Sequence, residues 1–107
     1  MNQEARRREI LKKMARIHRM ERGRLTEEYR ERYRDGELVR LGPYYKHQCW
    51  EDGRNLSRRV PATEARKLGK AVEGYHQFES LAKEYAEITI EMTRQAETHE
   101  SKKKPRS

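Results

Sequence analysis

Apolar positions along the chain follow three different rhythms. From Asn2 to Arg22, Ile10, Leu11, Met14, Ile17 and Met20 recur at steps of three and four among Arg and Lys, which predicts an amphipathic helix with a stripe narrow enough for a helix–helix seam. Gly23 interrupts that pattern. Leu25, Tyr29 and Tyr33 then predict a second short helix, opened by Thr26 as N-cap, with Glu27 and Glu28 in its first turn and a stop at Asp35-Gly36.

Between Leu41 and Pro61 the rhythm changes to two. Asp52-Gly53 supplies the pair of residues that a type I′ turn needs, and β-formers flank it, so the segment predicts a β-hairpin. With those two residues in the turn, Glu51 faces Arg54, Trp50 faces Asn55, Cys49 faces Leu56, Gln48 faces Ser57, His47 faces Arg58, Lys46 faces Arg59 and Tyr45 faces Val60. Alternation then sorts the side chains. One face holds Tyr45, Cys49, Leu56 and Val60, with His47 and Arg58 between them; the other holds Lys46, Gln48, Trp50, Asn55, Ser57 and Arg59. Glu37 to Arg40 has room for a short third strand, ended by Gly42-Pro43.

After Pro61 no proline occurs until Pro105, and strong helix formers predict one helix over 63–98, roughly 50 Å long at 1.5 Å per residue. Leu68, Val72, Tyr75, Phe78, Ala82, Tyr85, Thr89, Met92 and Ala96 form a coiled-coil-like stripe along it, with Gly69 and Gly74 near its start. That stripe serves either a second copy of the chain, through Leu68, Val72, Tyr75, Phe78, Ala82, Tyr85 and Met92, or the N-terminal helix of the same chain. The predicted fold class is α+β, mostly helical, in one domain. Residues 1–35 form basic helices, 36–61 a hairpin, 62–98 the long helix and 99–107 a basic disordered tail containing Lys102-Lys103-Lys104-Pro105-Arg106.

Composition changes the picture in two ways. Only 33% of the 107 residues are hydrophobic and 41% are charged, thin material for a compact monomer, which favours a homodimer. The net charge of +8 is also unevenly distributed. Residues 1–35 carry twelve Lys/Arg against seven Asp/Glu, 36–61 five against three and 99–107 four against one, whereas 62–98 carries five against seven. A basic front with a neutral-to-acidic scaffold helix points to a polyanion as partner. The single Cys49 excludes an internal disulfide framework, falls on the apolar face as a buried thiol and fits a reducing cytoplasm. No apolar secretory leader and no run of about 18 apolar residues occurs, so neither secretion nor a membrane span is expected.

Lys, Gln, Asn, Ser and Arg around one Trp are the donors that reach base edges and phosphates, and a two-stranded ribbon fits the major groove of B-DNA. The expectation is a non-enzymatic, dimeric binder of duplex DNA. Lys46, Gln48, Asn55 and Arg59 would read bases or fix the register, alongside Trp50 and Ser57, while Arg54, Arg58 and the cluster Arg6, Arg7, Arg8 would contact phosphate. A solvated outer sheet face uses similar residues. The alternatives are a helical assembly module and an RNA binder that uses Trp50 and Tyr44 as stacking platforms. Tyr45, His47 and Arg58 share a face, but Tyr45 and His47 are more simply core residues with polar tips. The four histidines lack ligand spacing and no glycine-rich phosphate loop precedes a helix, so no catalytic site, metal or cofactor is expected.

Gly42-Pro43-Tyr44-Tyr45, Gly53-Arg54, Ser57-Arg58-Arg59-Val60-Pro61, and then Tyr75, Phe78 and Leu81 together resemble a small uncharacterised prokaryotic family often found near transposases, with Gly23-Arg24-Leu25 and Tyr29 matching its lead-in. The resemblance spans roughly residues 20–95 and implies a hairpin followed by a long helix in a mobile-element setting, with a possible protein partner from that element. Many members of that family carry a cysteine cluster before the GPYY strand. Here Asp35-Gly36-Glu37-Leu38-Val39-Arg40 stands in its place, so no zinc site carries over. In outline the hairpin and helix are also similar to the arm-type DNA-binding domains of tyrosine integrases, a fold-level analogy.

Overall fold

The computed structural model describes residues 2–103, with side chains as far as Glu100. Five elements follow in order: α1 (Gln3–Ala15), β1 (Arg24–Arg34), β2 (Glu37–Glu51), β3 (Arg54–Val60) and α2 (Ala62–Lys103). The class is α+β, and about half of the chain is helical. The strands make one antiparallel sheet in the order β1-β2-β3. Two compact units result, one from α1 with α2 from His76 onward, the other from Arg19–Tyr75.

In the helical unit, Asn2 caps α1 by accepting the Ala5 N–H on its side-chain oxygen at 2.7 Å, and Lys12 and Lys13 oppose the negative end of the helix dipole. Ile10 is completely buried, whereas Leu11 is half exposed. The helix stops at Ala15, with Arg16 as C-cap, and does not run on to Arg22 as its stripe predicted. Backbone groups farther on are engaged elsewhere. The Glu21 N–H donates to the Ala71 carbonyl at 2.9 Å and the Arg22 carbonyl meets His47 Nε2 at 2.8 Å, bonds that a continuing helix would forfeit. Ile17 and Met20 therefore leave the stripe.

The largest correction concerns residues 24–34, which form a strand where a second helix was expected. A spacing of four puts Leu25, Tyr29 and Tyr33 on one side of either element, so periodicity could not decide. The turn decides: Asp35 (φ 51°) and Gly36 (φ 78°) repeat the backbone of Asp52 (φ 49°) and Gly53 (φ 76°), so both Asp-Gly pairs are hairpin turns and neither is a helix stop. The third strand is accordingly β1, and the predicted short strand 37–40 is the start of β2. Gly42-Pro43 does not end β2. The register shifts there instead, with Tyr29 lying opposite both residues between the pairs Glu28–Tyr44 and Arg30–Leu41, as a bulge. Gly42 (φ 131°) permits it, since a Cβ would come within 3.0 Å of the Glu28 carbonyl oxygen.

Across β2 and β3 all seven pairs fall in the register set by Asp52-Gly53, from Glu51–Arg54 to Tyr45–Val60. His47, Cys49 and Val60 are buried on the inner face, as are Ala65 and Val72 of α2. α2 passes close to β1 at Gly69, where a Cβ would lie 3.3 Å from Leu25 Cδ2. The Pro61 carbonyl starts α2 by accepting the N–H groups of Glu64 and Ala65. At its other end α2 continues through 99–103, which were expected to be a disordered tail. His99 to Lys103 contain no helix breaker. The remainder of that tail, 104–107, lies outside the described residues.

Candidate nucleic-acid interface

Alternation along the paired strands gives the outer face of the sheet. β1 contributes Arg24, Thr26, Glu28, Arg30, Arg32 and Arg34, and their partners on β2 are Gln48, Lys46, Tyr44, Leu41, Val39 and Glu37. β3 adds Ser57 beside Gln48, Arg59 beside Lys46 and Asn55 beside Trp50. Six cations thus share the face with two carboxylates, Glu28 and Glu37. Among the described residues none of the six is in an ion pair, in contrast to Arg6, Arg7 and Lys13 of α1.

Tyr44 organises the centre of this face. The guanidinium carbons of Arg30 and Arg59, from the strands on either side, lie 5.2 and 5.1 Å from its ring centroid. Both distances are within cation–π range, so two long side chains that would otherwise sweep freely are held over one ring. A shallow concavity of about 270 Å³ is lined there by Glu28, Arg30, Tyr44, Lys46, Ser57, Arg58 and Arg59. Thr26 Oγ1 donates to the Lys46 carbonyl at 3.4 Å along the same rung. A cationic surface of this kind, with no ion pair for its six cations among the described residues, is suited to phosphate oxygens.

Of the residues singled out from sequence, Lys46, Gln48, Trp50, Asn55, Ser57 and Arg59 are assembled on this one face, with Trp50 69% exposed. Arg54 pairs with Glu51 beside the turn, on the opposite face. Arg58 is opposite His47 on the inner side but is exposed and lines the concavity from its edge. The Arg6 to Arg8 cluster divides. Arg6 forms a two-point bond to Glu84, Nε to Oε2 at 2.6 Å and the terminal nitrogen to Oε1 at 2.7 Å, which holds the Glu84 carboxyl below its ordinary range. Arg7 stacks on Tyr85 at 4.7 Å and donates to its hydroxyl at 2.7 Å; Arg8 is exposed. Arg24, Arg30, Arg32 and Arg34 are absent from the site expected from sequence, because residues 1–35 were expected to be helical as far as the Asp35-Gly36 stop. Their signal was present in the alternating Arg30-x-Arg32-x-Arg34 run before the first Asp-Gly pair.

On the inner face, burial and then the nearby Glu51 push the Cys49 thiol above its ordinary value, which disfavours the thiolate. His47 is 8% exposed, and its Nε2 is taken by the Arg22 carbonyl. Among the described residues no group of three or more His, Cys, Asp or Glu is placed to hold a metal ion, and no helix is long and apolar enough to cross a membrane. Of the stripe residues proposed for self-association, Val72 is buried and Leu68, Tyr75, Phe78, Ala82, Tyr85 and Met92 are half-buried within the single chain. Beside them, Tyr85, Ala86, Thr89, Ile90 and Thr93 line an open groove of about 480 Å³, with Ile90 half exposed. No family model, curated protein or solved structure matches this chain.

Proposed function

We propose that the chain is a non-enzymatic nucleic-acid-binding module that sets the outer face of its sheet against duplex DNA. The observation that carries the reading is the Arg30–Tyr44–Arg59 arrangement beside Lys46, in a face with six cations and two carboxylates. Duplex is favoured over single-stranded RNA because two guanidiniums already lie over the Tyr44 ring, which leaves exposed Trp50, and not the expected pair of rings, for bases to stack on. Lys46, Arg30 and Arg59 contact phosphates, and Gln48, Asn55 and Ser57 lie next to them as side chains able to reach base edges. A mobile-element setting is the context that the family resemblance suggests.

The test is a fluorescence titration against duplex, single-stranded and structured RNA competitors of equal length at two salt concentrations. Duplex binding that weakens steeply with salt supports the reading, and a loss of that binding in the Lys46→Ala, Arg59→Ala double variant, with its melting temperature retained, assigns it to this face. The second reading, a helical assembly module, is favoured by one observation, the exposed Ile90 beside an apolar groove. A homodimer, expected from the thin apolar composition and the stripe of α2, would use the same groove. A salt-independent oligomer in light scattering, together with no affinity for any of the three nucleic acids, would select assembly.

A further inference from the structure

β1 pairs along its length with Glu37–Gln48 of β2, but β3 pairs only with Tyr45–Glu51. From Arg30 and Leu41 to the Asp35-Gly36 turn the sheet is therefore reduced to a two-stranded ribbon, and of residues 30–40 all are exposed except the half-buried Val39. Such a ribbon is marginal in water by itself. This one is held by the cross-strand pairs Tyr33–Leu38 and Glu31–Arg40, and by Arg40 over the Tyr29 ring at 3.9 Å. The bulge at Tyr29 marks its root, a feature that bends a strand pair and re-aims the ribbon beyond it.

The two faces of the ribbon differ. Arg30, Arg32 and Arg34 occupy alternate positions on the face continuous with Lys46 and Arg59, about 7 Å apart along the strand at 3.4 Å per residue. Tyr29, Tyr33 and Leu38 are on the other, where Tyr33 is 76% and Leu38 55% exposed. We infer that residues 30–41 are an arm that lies in the major groove of duplex DNA, with Arg32 and Arg34 on the phosphates beyond those reached by the sheet. This rests on the nucleic-acid reading above and extends it to a second contact region. The major groove, about 12 Å wide, admits a two-stranded ribbon. The turn residue Asp35 and the adjacent Glu37 exclude the minor groove, whose negative potential repels carboxylates, whereas in the major groove a carboxylate can accept from cytosine amino groups.

The experiment compares three full-length proteins on a 20-base-pair duplex and on its separated strand at two salt concentrations. They are the unaltered chain, the Arg32→Gln, Arg34→Gln double variant, and a shortened arm in which Asn-Gly replaces residues 31–40 between the paired Arg30 and Leu41. Both altered proteins are expected to lose roughly tenfold or more in duplex affinity and about two in the slope of log affinity against log salt, while keeping the weaker binding of the sheet face. Should the shortened arm fail to fold, the double variant decides alone. Unchanged duplex affinity and slope in the double variant would overturn the arm and leave the sheet-face reading standing. So would an arm-dependent dimer, seen as loss of a light-scattering dimer in Tyr33→Ser, Leu38→Ser with duplex affinity unmoved by the arginine changes. An unaltered chain that binds neither duplex nor strand removes the sheet-face reading and the arm together.

Discussion

Replacing Gly23 with alanine tests the packing that holds the segment entering β1 against β2. The residue has φ 101°, and a Cβ built there would lie 2.2 Å from the Gln48 carbonyl oxygen, 2.9 Å from His47 Nε2 and 3.2 Å from Cys49 Cα. Two of those three atoms belong to the backbone of the central strand, so no rotamer change relieves the overlap. The positive φ alone costs an L-residue about 1–2 kcal/mol, and forcing a methyl into filled space typically costs another 1–3 kcal/mol. Retreat of the chain would also break the hydrogen bond between His47 and the Arg22 carbonyl, worth about 1 kcal/mol. Together these reach about 3–6 kcal/mol, a large share of the 5–15 kcal/mol that stabilises a typical domain. Gly36→Ala is the control, because Gly36 has a similar positive φ of 78° and no atom within 4 Å of its Cβ position, leaving only the backbone cost of about 1–2 kcal/mol. Urea unfolding followed by circular dichroism should give a midpoint for Gly23→Ala well below that of Gly36→Ala. Equal midpoints would refute the close approach at Gly23 and with it the anchoring of the segment by His47.

Other substitutions probe the remaining contacts. Gly69→Ala should stabilise the protein by up to about 1 kcal/mol in the same unfolding assay, since alanine is the better helix former and the neighbour at 3.3 Å is the flexible end of Leu25. The bond from Arg6 depresses the Glu84 pKa, so its stabilisation is present above the ordinary glutamate range near pH 4.3 and is lost as pH falls through the lower folded value. The melting-temperature difference between the parent and Arg6→Gln should accordingly be full at pH 6 and shrink below pH 4; a pH-independent difference would contradict that pair. Cys49, buried with its thiol pushed up, should resist iodoacetamide in the native protein and react readily in urea, as followed by mass spectrometry.

The hairpin at Asp52-Gly53 was legible to the residue, because a two-residue turn fixes the register and a one-residue slip would turn His47, Cys49 and Val60 out of the core. The long helix was legible from its stripe and the absence of proline, but its extension through 99–103 was not, because that basic run has no apolar stripe and reads equally as a disordered tail. Residues 24–34 were not, because their apolar residues are four apart, a spacing common to both elements, and Asp35-Gly36 can end a helix or turn a hairpin. The pairing with β2, a long-range contact, selects the strand. That single misassignment hid Arg24, Arg30, Arg32 and Arg34, and therefore most of the charge on the candidate interface. Arg6 and Arg7 show the converse: a basic cluster in sequence is turned in the structure to Glu84 and Tyr85.

The most direct measurement is duplex-DNA affinity, across salt concentrations, for the parent chain and for the triple variant Arg30→Gln, Lys46→Gln, Arg59→Gln. With the cationic face as the contact surface, the parent binds with a steep salt slope and the triple variant loses about three from that slope while its circular dichroism and melting temperature are retained. A folded triple variant that binds duplex with the parent's affinity and slope would contradict that assignment.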